Sequence, residues 1–160
     1  LRLPILESGL TRPVVNITSE LDKARKLFLN RDYERAVRRT DQILQIDPSN
    51  GEAAELKNAA LYQIAETYRK RQNYVETLKT VKKLDTRYKG VHEDIAEVKN
   101  LLIQQAEENY RLGVNFFVNE EFHKAIERWQ DTLKQNPQHP NARQDIEKAR
   151  RLLKKLDEVD

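Results

Sequence analysis

The 160-residue chain predicts an all-α fold: an antiparallel helix-hairpin repeat of about seven helices, the last one a C-terminal capping helix. Three observations carry this. Apolar residues recur at three- and four-residue intervals from Ile17 to Val159, the period of a helix with one buried face. Breakers cut that stretch into segments joined by two to five residues, which forces neighbouring helices to lie antiparallel. Small residues pair at a constant separation of twelve, Ala24 with Ala36, Ala65 with Thr77 and Gly113 with Ala125, as close helix–helix approach requires.

Taken in order, residues 1–16 read as a linker or the tail of an upstream domain, and 17–160 as a single helical domain. A chain that opens on Leu1 reads as a fragment or a processed product. Ser19 with Asp22 resembles a capping box at the first helix, flanked by Ile17 and Leu21. The breakers Asn30-Arg31-Asp32, Asp47-Pro48-Ser49-Asn50, Arg71-Gln72-Asn73, Lys89-Gly90, Asn119-Glu120 and Asn136-Pro137-Gln138-His139 then give helices over 18–30, 33–46, 51–71, 74–88, 91–118, 121–135 and 140–157. Gly90 suits a left-handed cap, and Pro140 suits the first turn of the last helix. That helix has a narrow stripe of Ala142, Ile146, Ala149, Leu153 and Leu156 on a charged rod, as expected of a cap; the same stripe could pair with another chain.

Composition narrows the function classes. The chain is 38% hydrophobic and 34% charged, yet apolar positions recur throughout, which argues against general disorder. No run approaches the roughly 18 apolar residues of a membrane span. Cysteine is absent, which removes thiolate zinc sites, cysteine nucleophiles and disulfides together. Four glycines and five prolines leave little material for phosphate-cradling loops. A net charge of +3 is too mild to mark a nucleic-acid binder. Its distribution is uneven: eight basic against three acidic residues from Ala65 to Lys89, then seven acidic against two basic from Val91 to Glu121. Such blocks are expected on neighbouring helices with mutually attractive faces.

The three small-residue pairs also share an aromatic three residues before the second member: Tyr33, Tyr74 and Phe122. The last copy reads Leu112-Gly113-x2-Phe116, Ala125-x3-Trp129 and Pro137; the middle Ile64-Ala65-x2-Tyr68, Thr77-x3-Val81 and Lys89; the first Ala24-x2-Leu27, Ala36-x3-Thr40 and Pro48. This pattern resembles the tetratricopeptide repeat, an α-solenoid of helical hairpins, with copies over about 17–50, 51–90 and 91–138 and a cap over 140–157. The period departs from the family's 34: it is 41 and then 48. Each excess is a whole number of heptads, which lengthens a helix while nearly preserving its inward face. The third and fifth helices are therefore expected to be long, about 20 and 28 residues.

The resemblance implies a concave groove lined by the first helices of the hairpins, holding a partner peptide or helix. Projected onto this chain, its residues are Leu21, Arg25 and Phe28, then Tyr62, Glu66 and Arg69, then Tyr110, Val114 and Phe117. Some family members clamp a terminal carboxylate there with lysine and asparagine. The corresponding places here hold Leu21, Arg25, Gln63, Glu107 and Arg111, so no such clamp is expected. At the other end of the chain, Leu1-Arg2-Leu3-Pro4-Ile5-Leu6 resembles the closing strand of a LysM module, a glycan-binding domain. That resemblance implies a parent protein of the bacterial periplasm or cell envelope.

Nothing in the sequence assembles a catalytic, cofactor-binding or metal site. His92, His123 and His139 lack metal-ligand spacing, and the pairs Glu107-Glu108 and Glu120-Glu121 point about 100° apart on a helix. The expectation is a non-enzymatic scaffold for a protein or peptide partner, with no cofactor and no small-molecule substrate. The alternatives are a basic adaptor for an anionic polymer or membrane surface, through Arg69-Lys70-Arg71 and Lys79, Lys82 and Lys83, or self-assembly into a homo-oligomer through the long helices.

Overall fold

Seven α-helices form among residues 16–88 and 90–158, the residues described by the computed structural model: α1 (Ile17–Leu29), α2 (Tyr33–Ile46), α3 (Gly51–Lys70), α4 (Tyr74–Val81), α5 (Val91–Val118), α6 (Phe122–Gln135) and α7 (Ala142–Asp157). The linker expected at the N-terminus and the string Leu1–Leu6 fall on Leu1–Val15, outside the described residues. At 20 and 28 residues, α3 and α5 have the lengths that the stretched period predicts.

Local chemistry explains where the elements differ from expectation. The first helix is capped by Asn16, not Ser19: the Asn16 side chain accepts the Ser19 amide at 3.1 Å. The fourth helix ends at Val81, well short of the Tyr88 that the span 74–88 implies. Beyond it Asp85 takes the Arg87 amide at 2.9 Å and its guanidinium through Nη2 at 2.8 Å, a local turn that competes with helix. Leu84 nonetheless stays buried, holding the place that Ile43 and Thr132 hold in the other copies. The last helix starts at Ala142 because the His139 Nδ1 accepts the Ala142 amide at 3.2 Å, a cap supplied by a histidine two residues before the helix's flanking Asn141.

The hairpin turns repeat atom for atom. The amides of Asp32, Asn73 and Glu121 donate to the carbonyls of Leu27, Tyr68 and Phe116 at 2.9, 3.0 and 2.9 Å. Those of Arg31, Gln72 and Glu120 donate to Phe28, Arg69 and Phe117 at 2.9, 2.9 and 3.1 Å. Both bonds satisfy carbonyls orphaned at a helix C-terminus. They require a left-handed residue, and Arg31, Gln72 and Glu120 occupy it at φ 62°, 56° and 62° without being glycine.

The chain divides into two units, one through Ala60 and one from Leu61. In the first, α1 packs on α2 with Ala24 and Ala36 fully buried, and Arg39 reaches Glu20 at 2.7 Å across the antiparallel pair. Leu21, Ile43 and Ala53 form the core, edged by Ile17, Leu44 and Leu56. The first part of α3 is tied to α1 by Arg25–Glu52 at 3.0 Å and to α2 by Lys57–Asp41 at 2.6 Å.

In the second unit Ala65 and Thr77 are buried, and α5 contacts both α4 and α6. The α5–α6 seam sets a tryptophan ring directly against a glycine. The Trp129 indole lies over Gly113, and its Nε1–H donates to the Tyr110 carbonyl at 3.2 Å. The buried Thr132 hydroxyl shares its proton between the Ala106 and Arg128 carbonyls at 3.3 and 3.0 Å. The large-residue positions Thr40, Val81 and Trp129 are buried in all three copies. The α7 cap covers Trp129 and Ala125 with Ala142, Ile146 and Ala149; Leu156, at the far end of its stripe, stays exposed.

The seam and the turns can each be tested by substitution. A Cβ added at Gly113 would sit 2.5 Å from Trp129 Cδ1 and 3.0 Å from Cε2. Gly113→Ala should therefore cost about 1–3 kcal/mol by overpacking, read by thermal denaturation and by the fluorescence of the single tryptophan. Arg31→Gly, Gln72→Gly and Glu120→Gly should each raise stability by up to about 1 kcal/mol, because glycine removes the left-handed strain. Chemical denaturation of the three variants checks this.

Candidate binding face

The nine residues projected onto the groove fall in equivalent places on α1, α3 and α5, separated by the same 41 and 48 residues as the small-residue seam. Their environments differ from one copy to the next. At the first place, Leu21 is buried in the core of the first unit. Tyr62 is half-buried, 6.1 Å from the Tyr88 ring. The negative charge of Glu66, burial and Asp94 together push its phenol above the usual tyrosine range. Tyr110 is half-buried and donates its hydroxyl to Asp145 Oδ2 of α7 at 2.7 Å.

At the second place, Arg25 bridges Asp22 and Glu52, both at 3.0 Å. It lines a shallow trough of about 290 Å³ with Glu52, Glu55, Leu56 and Ala59, between α1 and the first part of α3. Glu66 faces Arg69 at 3.6 Å, and Val114 packs half-buried against the Trp129 cluster. At the third place, Phe28 meets Tyr33 edge-on at 5.3 Å and 63°, and Phe117 meets Phe122 with the same distance and angle. These rings close the ends of their hairpins. Phe117 also packs 5.6 Å from Trp129, with Lys148 over its face at 5.1 Å. The middle copy replaces the ring with Arg69, which is paired with Glu97 of α5, so the basic and acidic stretches meet in an ion pair. The hydrogen bond to Glu97 also holds the guanidinium's proton more firmly than usual.

A second role emerges from these contacts. Arg25, Arg69 and Tyr110 each link one first helix to the start of the next helix beside it: Arg25 to Glu52, Arg69 to Glu97, Tyr110 to Asp145. Spacing places them on one face but carries no signal for their acidic partners, which lie about 27–35 residues away. His139, a turn residue by its sequence setting, is buried. It stacks 4.4 Å from Tyr110 and, with Nδ1 occupied by the Ala142 amide, turns Nε2 toward Glu107 Oε1 at 3.3 Å. A proline-flanked tetrapeptide gives no sign of that burial. His92 and His123 are exposed on helix surfaces. Among the described residues no group of three or more His, Cys, Asp or Glu is placed to hold a metal ion, and no helix is long and apolar enough to cross a membrane.

No protein-family model and no curated protein matches the chain. Among solved structures it is similar to MamA 41-end from Desulfovibrio magneticus RS-1, at 20% identity over 90% of this chain and 75% of that one, with a TM-score of 0.31.

Burial and the bond to Asp145 push the Tyr110 phenol up to about 12. Its neutral form is the bonded one, so the α5–α7 link is complete below the unfolded tyrosine value of about 10 and is lost as pH rises toward about 12. In an absorbance titration a tyrosine step should fall near pH 12, and Tyr110→Phe should delete it.

Proposed function

We propose that the chain is a non-enzymatic scaffold that binds a peptide or helix of another protein on the first-helix faces of its hairpins. The observation that carries this reading is the partial exposure of large side chains in the shared register: Tyr62, Val114 and Phe117 are half-buried, and the Arg25 and Arg69 side chains keep 47% and 29% of their surface in water. Aromatic and arginine side chains held in place by their neighbours are the groups that contribute most at protein interfaces. The ties made by Arg25, Arg69 and Tyr110 give them fixed geometry, which lowers the entropy lost on binding. Leu21, buried in the core of the first unit, offers a partner no exposed surface. The glycan-binding resemblance at the N-terminus adds a setting to this reading, a scaffold in a bacterial cell envelope.

A basic-adaptor role is the second reading, favoured by the exposed Lys82 and Lys83 after α4. Salt separates the two: polyanion binding falls by orders of magnitude between low and moderate salt, whereas binding to a half-apolar face changes little.

The test is selection of binders from a displayed peptide library on the intact chain. Tyr62→Ala and Phe117→Ala should each weaken selected peptides about tenfold, roughly 1.4 kcal/mol, with helicity unchanged by circular dichroism. Binders indifferent to both substitutions would overturn the reading.

A further inference from the structure

A second surface lies on the other helix of the first hairpin. At about 100° per residue, Arg38, Gln42, Arg35, Ile46 and Arg39 fall within one arc of about 100° on α2, with no acidic residue among them. This arc points away from Asp41, which is tied to Lys57 of α3, so α3 leaves it uncovered within this unit.

Two cavities open along it. One, of about 400 Å³, is lined by Leu27, Arg35, Arg38, Arg39 and Gln42; the other, of about 290 Å³, by Glu20, Arg39, Gln42, Ile43 and Ile46. They share Arg39 and Gln42 and so adjoin, a basic lobe and an apolar lobe of one cleft lying on either side of Arg39.

The charges in the cleft are unequally matched. Arg39 is satisfied by Glu20 at 2.7 Å, whose carboxyl Lys23 and Arg39 hold below the usual range. Arg35 has a longer contact with Asp32 at 3.3 Å. Arg38 is exposed, and its side chain makes no ion pair or hydrogen bond among the described residues. At the opposite end, Ile46 is 53% exposed.

We infer that this cleft docks an acidic segment of a partner protein, carrying carboxylates for Arg38 and Arg35 and an aliphatic side chain for the pocket beside Ile46. A guanidinium offers a carboxylate two parallel donors, and Arg38 is free to do so. From Arg35 to Ile46 the cleft runs about 17 Å along the helix, the span of about five extended residues. The apolar lobe suits an aliphatic side chain, and among the described residues no aromatic ring lines the cleft for the bases of a single-stranded nucleic acid to stack on. A second copy docking through the outer side of its α7 is disfavoured by charge, because that side carries Arg143, Arg150, Arg151 and Lys154 against only Glu147 and Glu158, and Glu158 is already paired with Lys154. The cleft shares no residue with the first-helix face, so either surface can bind without the other.

The test is fluorescence anisotropy of the full chain with a labelled peptide of about ten residues alternating glutamate and leucine. Saturable binding is expected, with none by the lysine–leucine counterpart. Arg38→Glu and Ile46→Ser should each weaken it about tenfold, while Tyr62→Ala leaves it unchanged. Failure of either cleft substitution to weaken binding overturns the inference. So does equal, Arg38-dependent binding to duplex DNA or to anionic lipid vesicles, which would make the cleft a general polyanion site. Concentration-dependent self-association abolished by Arg38→Glu would assign it to a second copy and overturn it too.

Discussion

The structure depends on how closely the two helices of a hairpin can approach. Ala24 and Ala36, Ala65 and Thr77, and Gly113 and Ala125 are all buried. At such a seam the backbones nearly touch, so the side chains one turn away must fill the remaining space. Trp129 does this in the last hairpin by lying over Gly113, and its indole proton is satisfied by a carbonyl on the facing helix. Thr40 and Val81 hold the same position with less volume, and no ring needs a partner there. The identical turn hydrogen bonds follow from the same constraint: once the seam fixes the spacing of two helices, one short path joins them.

Burial alone would not order successive hairpins. Buried threonines add hydrogen bonds within a helix, as Thr40, Thr77 and Thr80 do, or across the seam, as Thr132 does, without leaving an orphaned polar atom among the described residues. The links from one first helix to the next are polar and partly exposed: Arg25–Glu52, Arg69–Glu97 and Tyr110–Asp145. Exposed ion pairs are each worth little. Their value is orientational, since a charge pair at a helix end selects one register among several that apolar surfaces alone would tolerate.

Much of this was legible because repetition multiplies weak signals. The seam, the two long helices and the capping stripe each follow from spacing, and spacing survives substitution. What spacing cannot show is which polar group answers which. The turn after α4 and the start of α7 are shaped by Asp85 and His139, whose side chains capture nearby amides, and neither residue belongs to a repeated pattern. Sequence alone misplaces the cap of α1 because Asn16 and Ser19 are both good caps, and only the bond to the Ser19 amide separates them. The candidate face was legible as a register but not as a set of environments. Leu21, Tyr62 and Tyr110 share a position, yet a core, a neighbouring tyrosine and an aspartate on α7 make three different residues of it.

The length of α5 has a mechanical consequence. Its C-terminal half belongs to the seam with α6, while Val91 and Val98 are buried ahead of that seam and the helix also touches α4. One unbroken rod of 28 residues, about 42 Å long, is thus common property of two hairpins. Within the second unit, α4 and α6 cannot both keep their packing on it and tilt against each other without bending it, and an α-helix lacking proline or a bulge resists bending. A force applied at the cap would be delivered to α4 as a lever delivers it, with little lost to flexing in between.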